Sequence, residues 1–164
     1  MQRSFVLAGL LLTLCTRPIS AACIMEANDD LVASGAFVTD QTSGLVWQRC
    51  AVGMEWAANE SRCIGEPEGL DLNAAHDAAA NAGGGWRVPT GAELETLLFD
   101  TCEGPKIDST AFPNISSSDF GDGANFWTST EAMPGMFYYF EFMHGYVDMH
   151  SPGFTLSALL VRDQ

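Results

Sequence analysis

Short hydrophobic runs bounded by turn residues in the first half of the chain have the pattern of β-strands. Residues 36–39 and 45–49 are rich in β-forming side chains and flank the segment DQTSG. Asp40 and Gly44 supply turn chemistry at the two ends of this segment. The pattern therefore predicts a β-hairpin, followed by a polar, glycine-containing loop over residues 50–70.

The second half of the chain shows a strict alternation typical of a half-buried strand. In residues 137–142 the pattern places Tyr138, Phe140 and Phe142 on one face and Tyr139 and Glu141 on the other. Other strands are predicted over residues 126–129, 146–149 and 159–162, with loop over most of residues 100–125.

Two segments have helical patterns with clear start signals. Residues 71–82 are rich in alanine, begin with the capping residue Asp71 and stop at three consecutive glycines. A second helix follows Thr90, which forms an S/T-x-x-E capping box with Glu93 and precedes an apolar face made of leucines. Helices in the first half and antiparallel strands in the second predict an α+β domain.

The first 22 residues have the order of a secretory signal. Arg3 supplies the positive end, a short apolar run follows, and small residues precede Cys23. We therefore expect residues 1–22 to be removed on export and residues 23–164 to form one domain of the periplasm, the cell surface or the secreted fraction. Lipidation of Cys23 is the weaker alternative, because Ser20 stands where that signal usually has a leucine. No later segment is long and apolar enough to predict a membrane span.

Charge narrows the range of partners. The chain carries 7 basic and 21 acidic residues, a net charge of −14. Removal of residues 1–22 takes away Arg3 and Arg17, which leaves 5 basic residues against 21 acidic ones and a net charge of −16. Nucleic acids, anionic lipids and sulfated polysaccharides all need a basic surface, so we expect none of them as a ligand.

The cysteine count agrees with export. Beyond residue 22 the chain has four cysteines, and an even set in an exported domain predicts two disulfides with three alternative connectivities. Cys50 and Cys63 flank the polar loop and form the natural local pair, which leaves Cys23 to pair with Cys102. A structural zinc site is disfavoured because there is no CxxC pair.

Several residues are candidates for metal binding. Asp119, Asp122 and Asn125 could offer oxygen ligands to calcium from one flexible loop, although the order of an EF-hand loop is missing and we favour a solvated acidic loop. His144 and His150 could bind a metal from neighbouring strands, but spacing places no third ligand beside them. We therefore expect no cofactor, with calcium as the alternative.

One tryptophan differs from the others in its surroundings. Trp56 lies in the polar loop between Cys50 and Cys63, where an aromatic side chain suits stacking on a sugar or insertion into a partner protein. We therefore predict a ligand-binding surface that contains Glu55, Trp56 and Asn59. The remaining three tryptophans lie in or beside predicted strands and are expected in the core: Trp47, Trp86 and Trp127.

Six segments resemble, in order, the Lcl C-terminal domain-like family of exported bacterial domains: FVTDQTSGLVWQRC, GGGWRVPTGAELETLL, KIDSTAFPN, FWTST, YYFEFMHG and LLVRD. The resemblance implies a C-type-lectin-like fold, with the two helices packed on a short antiparallel sheet. It also implies a surface or appendage module. The adhesin that names the family binds sulfated glycosaminoglycans through basic residues, whereas the few basic residues of this chain are scattered and outnumbered by acidic ones.

WRVPTGAELE is also similar to a segment of formylglycine-generating enzymes on the same fold. Their chemistry needs a reactive cysteine pair near the C-terminus, and no cysteine follows Cys102 here. A GxSxG nucleophile motif is missing as well. We therefore expect no catalytic residues and a non-enzymatic binding module for a glycan or protein ligand. The alternatives are a structural subunit of a surface appendage or, less favoured, an enzyme of that fold.

Overall fold

A computed structural model describes residues 28–99, 101, 104–113, 115 and 124–164. The predicted signal segment and the predicted Cys23–Cys102 disulfide therefore lie outside the described residues. None of the helices within those ranges is long and apolar enough to cross a membrane.

Strands dominate the described part of the chain. In chain order its elements are β1 (Leu31–Ser34), β2 (Phe37–Asp40), β3 (Leu45–Gln48), β4 (Glu55–Ala57), β5 (Arg62–Ile64), α1 (Leu72–Ala82), α2 (Gly91–Glu95), β6 (Asn125–Met133), β7 (Met136–Glu141), β8 (Tyr146–His150) and β9 (Val161–Asp163).

The first sheet has the antiparallel order β1-β2-β3-β9 and contains the predicted hairpin. The carboxylate of Asp40 accepts hydrogen bonds from the main-chain N–H groups of Thr42 and Ser43 and from the Ser43 hydroxyl. These bonds build the turn from β2 to β3. Gly44, with φ of +74°, completes the turn in the left-handed region that favours glycine. The hairpin prediction is confirmed.

The segment predicted as a loop after Cys50 contains a second, two-stranded sheet. Strands β4 and β5 pair antiparallel, with Trp56 opposite Cys63. The disulfide Cys50–Cys63 closes this segment, with its Cα atoms 5.6 Å apart. The local disulfide prediction is confirmed, whereas the strands inside the loop were missed because three-residue runs carry almost no periodic signal.

The two predicted helices form, and both start as predicted. Asp71 caps α1 by accepting a hydrogen bond from the Ala74 N–H at 2.8 Å. Thr90 and Glu93 form the complete capping box at the start of α2. The second helix has only five residues, however, because the chain after it turns and Leu98 forms a β-bridge with Ile107.

The third sheet has the order β6-β7-β8. Phe140 pairs with Phe126 on β6 and with Val147 on β8, so that β7 is the central strand. The strands predicted over residues 126–129, 137–142 and 146–149 are confirmed, although β6 extends to Met133.

The buried side chains form two hydrophobic clusters. The larger one joins the first sheet to α2 and the third sheet, through residues such as Trp47, Leu94 and Phe126. The smaller one lies under α1, where Ala75 packs with Trp127. The Trp127 Nε1–H donates to the main-chain oxygen of Leu70 at 2.8 Å, which satisfies the polar atom of this buried ring.

The predicted fold class, an α+β, C-type-lectin-like domain with two helices packed on a short antiparallel sheet and two disulfides, is wrong. The described residues form three small antiparallel sheets with only two short helices and one disulfide between them. The helices also fail to make a common layer, because Leu94 of α2 and Ala75 of α1 belong to different hydrophobic clusters. Helix start signals were read correctly, but they do not report how long a helix is or which sheet it covers.

Candidate functional site

The outward face of the first sheet carries the exposed aromatic side chain of Phe37. Phe37 on β2 lies opposite Gln48 on β3, and Val46 lies opposite Arg162 on β9. Because neighbours along a strand point to opposite faces, Val38 points into the core while Phe37 remains 40% exposed.

Trp86 packs on this outward face rather than in the core. Its ring stacks on Phe37 with centroids 5.5 Å apart and an interplanar angle of 24°. The Arg162 guanidinium lies 4.7 Å from the centroid of Trp86, and its Nη1 donates to the main-chain oxygen of Gly84 at 3.3 Å. Trp86 is half-buried, so the prediction of a core position was wrong for this tryptophan, whereas Trp47 and Trp127 are fully buried.

The predicted ligand-binding residues lie on and beside the β4–β5 hairpin. Glu55 and Asn59 are exposed, and Trp56 is half-buried. The Arg49 guanidinium carbon lies 3.9 Å from the centroid of the Trp56 ring, a close cation–π contact. One side of the Trp56 ring is therefore occupied by the protein itself.

Arg49 is held in place by main-chain oxygens rather than by an ion pair. Its guanidinium donates to three carbonyl groups, at 3.1, 2.6 and 2.8 Å, those of Gly35, Thr110 and Ala111. Burial lowers the pKa of Arg49, and the nearby carboxylate of Asp108 partly opposes this effect. Arg49 thus fixes the hairpin that carries Trp56 to the rest of the domain.

Phe37 and Trp56 line the same groove. Its volume is about 240 Å³, and its lining residues are Ala36, Phe37, Gln48, Cys50, Met54 and Trp56. The walls are aromatic or apolar, and Gln48 supplies an amide that can both donate and accept hydrogen bonds. We call this the aromatic groove. The structure thus brings Trp56 next to Phe37, whereas Glu55 and Asn59 are not part of the lining.

Sequence reasoning missed Phe37 as a candidate. The residue stands inside one of the segments that resemble the family, for which a strand was predicted but no binding role. A signal was nevertheless present: if Val38 faces the core, then period-two alternation places Phe37 outside. An aromatic residue at an outward position of a strand is a candidate for binding.

Arg87 and Glu93 form an ion pair at the entrance to α2. Two hydrogen bonds of 2.8 and 2.6 Å join their guanidinium and carboxylate groups. Hydrogen bonding to Arg87 lowers the pKa of Glu93, against the opposing effect of burial. Glu93 also accepts the Thr90 N–H at 2.7 Å, so a single carboxylate both caps the helix and neutralises Arg87.

Only one of the three predicted calcium ligands lies among the described residues. Asp119 and Asp122 lie outside the described residues, and Asn125 begins β6, where its main-chain oxygen accepts the Ser157 N–H. The Nδ1 atom of His144 lies 3.0 Å from Oε2 of the buried Glu141 carboxylate, and the ring of His150 stacks on that of Phe154. Within the described ranges, no three His, Cys, Asp or Glu residues are grouped so that they could hold a metal ion.

Two comparisons with known proteins bear on the identity of the chain. No curated protein matches it with significant similarity. The sequence profile of the Lcl C-terminal domain matches residues 36–162, which include all the strands from β2 to β8 and both helices. The chain therefore belongs to the family of Lcl C-terminal domains.

Proposed function

We propose that this protein is an exported, non-catalytic binding module and that the aromatic groove binds an uncharged glycan. The observation that carries the proposal is that Phe37 and Trp56, from two different sheets, line one groove together with the amide of Gln48. Sugar rings present flat C–H faces that pack on aromatic rings and hydroxyl groups that pair with amides. Small-ligand sites commonly combine apolar walls with a few polar groups in this way.

The size of the groove and the acidic charge of the chain argue against a large or anionic ligand. The volume of about 240 Å³ is somewhat below the range of about 300–1,000 Å³ of drug-sized sites. The groove therefore suits about one sugar ring at the end of a chain. The net charge of −14 disfavours any anionic ligand through long-range repulsion.

The composition of the groove also favours binding over catalysis. Among its described lining residues there is no acid–base pair and no nucleophile, because Cys50 is engaged in the disulfide with Cys63. General acid–base or nucleophilic catalysis needs such groups within hydrogen-bonding reach of the substrate. The enzyme alternative therefore receives no support from this site.

A structural subunit of a surface appendage is the remaining alternative. Such a subunit needs a contiguous apolar surface for its neighbours. Among the described residues, the large exposed hydrophobic side chains include Val32, Ile64 and Val147, which belong to three different sheets. This distribution favours the binding module.

A glycan array followed by calorimetry tests the proposal. We expect purified protein to bind neutral glycans and Phe37→Ala to weaken binding by about tenfold or more, which corresponds to about 1.4 kcal/mol. Phe154→Ala is the matched control, because Phe154 is 46% exposed and does not line the groove. Absence of any neutral ligand, or equal binding by the Phe37→Ala variant, would exclude this function for the groove.

A further inference from the structure

The free edge of the third sheet is a second feature that the proposed function does not use. Among the described residues, strand β8 pairs only with β7, and none of them pairs with its other edge. An open edge presents main-chain donors and acceptors that can pair with another extended chain. Many proteins protect such edges against unwanted pairing, and some use them to bind peptides by strand addition.

Two hydrogen bonds show which main-chain groups point outward. The Met149 N–H donates to the carboxylate of Asp148 at 2.8 Å, so it is turned away from β7. On the partner strand, the main-chain oxygen of Tyr138 accepts the Thr128 hydroxyl on the β6 side. Tyr138 and Met149 are opposite each other and therefore form a non-hydrogen-bonded pair. By alternation, Val147 also turns its N–H and C=O groups toward the open edge.

A groove lies beside this edge and can receive a side chain. It has a volume of about 350 Å³ and is lined by residues of α2, β6, β7 and β8, among them Ala92, Thr130, Tyr138, Phe140 and Val147. Val147 is 44% exposed and therefore belongs both to the open edge and to the wall of the groove. A strand added to β8 would place alternate side chains over this surface.

Charge identifies the kind of strand that fits. The four elements α2, β6, β7 and β8 contain no lysine or arginine. Of their five carboxylates, Glu93 is paired with Arg87 and Glu141 is buried. The exposed carboxylates of this surface are those of Glu95, Glu131 and Asp148. Glu95 lines the groove itself, and Asp148 lies on the edge strand. A second copy of this chain would bring like charges together, whereas a basic strand would meet complementary ones.

We propose that the β8 edge and the adjoining groove form a docking site for an extended, basic peptide segment of a partner protein, which adds to the sheet as a further strand. Val147 offers its N–H and C=O groups directly. A basic side chain of the incoming strand pairs with Asp148 and releases the Met149 N–H for a third main-chain bond. An apolar side chain of the same strand enters the groove between α2 and β8.

Nuclear magnetic resonance with a synthetic peptide that alternates lysine and valine tests the site. We expect the largest amide shifts at Val147 and Met149, and hydrogen exchange of the Val147 amide to slow by about tenfold or more when the peptide is bound. A peptide that alternates glutamate and valine should produce neither effect. Slowed exchange in concentrated protein without peptide would show instead that a second copy occupies the edge, and it would overturn the proposal.

Two variants separate the main-chain contribution from the groove. Val147→Pro removes one outward N–H, and proline is tolerated on edge strands because that N–H faces solvent. It should weaken peptide binding by about tenfold or more, whereas Val147→Ala keeps the N–H and should weaken it less. If Val147→Pro does not fold, hydrogen exchange of the Val147 amide in the unmodified protein tests whether the peptide binds at the β8 edge. Undiminished binding by a folded Val147→Pro variant, or unchanged exchange at Val147 with peptide bound elsewhere, would exclude the edge as the docking site.

Discussion

The guanidinium carbon of Arg49 lies 3.9 Å from the centroid of the Trp56 ring and fastens the β4–β5 hairpin to the body of the domain. Cation–π contacts of partly desolvated pairs contribute about 0.5–2 kcal/mol. A residue chosen from the sequence as a binding aromatic therefore also has a share in stability. Substitution of Trp56 can therefore change both ligand binding and stability, and the two effects have to be measured separately.

We predict that Trp56→Ala lowers the free energy of unfolding by about 1–2 kcal/mol, because a half-buried ring and its cation–π contact are lost. Trp127→Ala should cost about 3–5 kcal/mol, because that ring is fully buried. Urea denaturation of both variants measures the difference. Equal losses in the two variants would mean that Trp56 is part of the core and unsuited to a ligand site.

The sequence was sufficient for elements whose signals are local. The DQTSG turn, the Asp71 cap and the Thr90–Glu93 capping box depend on residues within a few positions of one another, and all of them are present. The Cys50–Cys63 disulfide joins two cysteines that flank one short loop and was predicted for that reason.

Contacts between residues that are far apart in the sequence could not be predicted from such local signals. The aromatic groove needs Phe37 and Trp56 to meet across two sheets. Trp86 stacks on Phe37 where its neighbour Arg87 forms a β-bridge with Val161 of β9. The arrangement of three sheets, likewise, follows from tertiary packing that overrides local propensity. The predicted fold failed at this level and not in the identity of its main strands.

Glu93→Gln should lower stability at neutral pH by about 1 kcal/mol, because the half-exposed Arg87 loses a charged partner while the amide can still cap the helix. The pKa of Glu93 is lowered in the folded protein, so its contribution is present above the ordinary value of 4.5 and is lost as the pH falls through the lowered value. Denaturation curves across this range should therefore converge for the two proteins at low pH.

Glu95→Gln is the matched control for this experiment, because Glu95 is exposed on the same short helix. Its stability should differ from that of the unmodified protein by less than about 0.5 kcal/mol at any pH. A loss for Glu93→Gln that persists at low pH would assign the effect to packing and not to charge.

Replacement of both Cys50 and Cys63 by serine should destabilise the domain by about 3 kcal/mol on the chain-entropy account, since the bridge joins residues 13 positions apart. Non-reducing peptide mapping should recover this pair together with Cys23–Cys102, which stays a prediction. A peptide that joins Cys50 to Cys102 would contradict both pairings.

The protein should show no salt-sensitive binding to heparin or DNA near neutral pH. Each of the five described basic side chains is engaged within the protein. Arg49 is buried, Arg62 pairs with Glu60, and Arg87 pairs with Glu93. Lys106 donates to the main-chain oxygen of Thr101, and Arg162 lies over the ring of Trp86. Retention on a heparin column at low ionic strength, where attraction is screened least, is the sensitive measurement. Retention that falls with added salt would establish a basic surface and contradict the expected repulsion.

The free energy of unfolding at alkaline pH should depend on Tyr139, which lies on β7 of the third sheet. Burial raises the pKa of Tyr139 to about 12 from its ordinary value of 10.0, and nearby Tyr146 and Asp148 add to the effect. A group whose pKa is raised by folding holds its proton longer in the folded state than in the unfolded state. The free energy of unfolding should therefore fall as the pH rises from about 10 toward 12, as linkage requires.

Tyr139→Phe removes the ionisable group and should flatten this alkaline loss of stability, whereas Tyr138→Phe on the same strand should leave it in place. Because phenylalanine keeps the ring, the comparison isolates the hydroxyl group and its charge. Urea denaturation of the three proteins at pH values on both sides of 10 measures the slopes. If the unmodified protein and Tyr139→Phe lose stability equally with rising pH, a group other than Tyr139 causes the loss. That result would contradict the raised pKa of Tyr139.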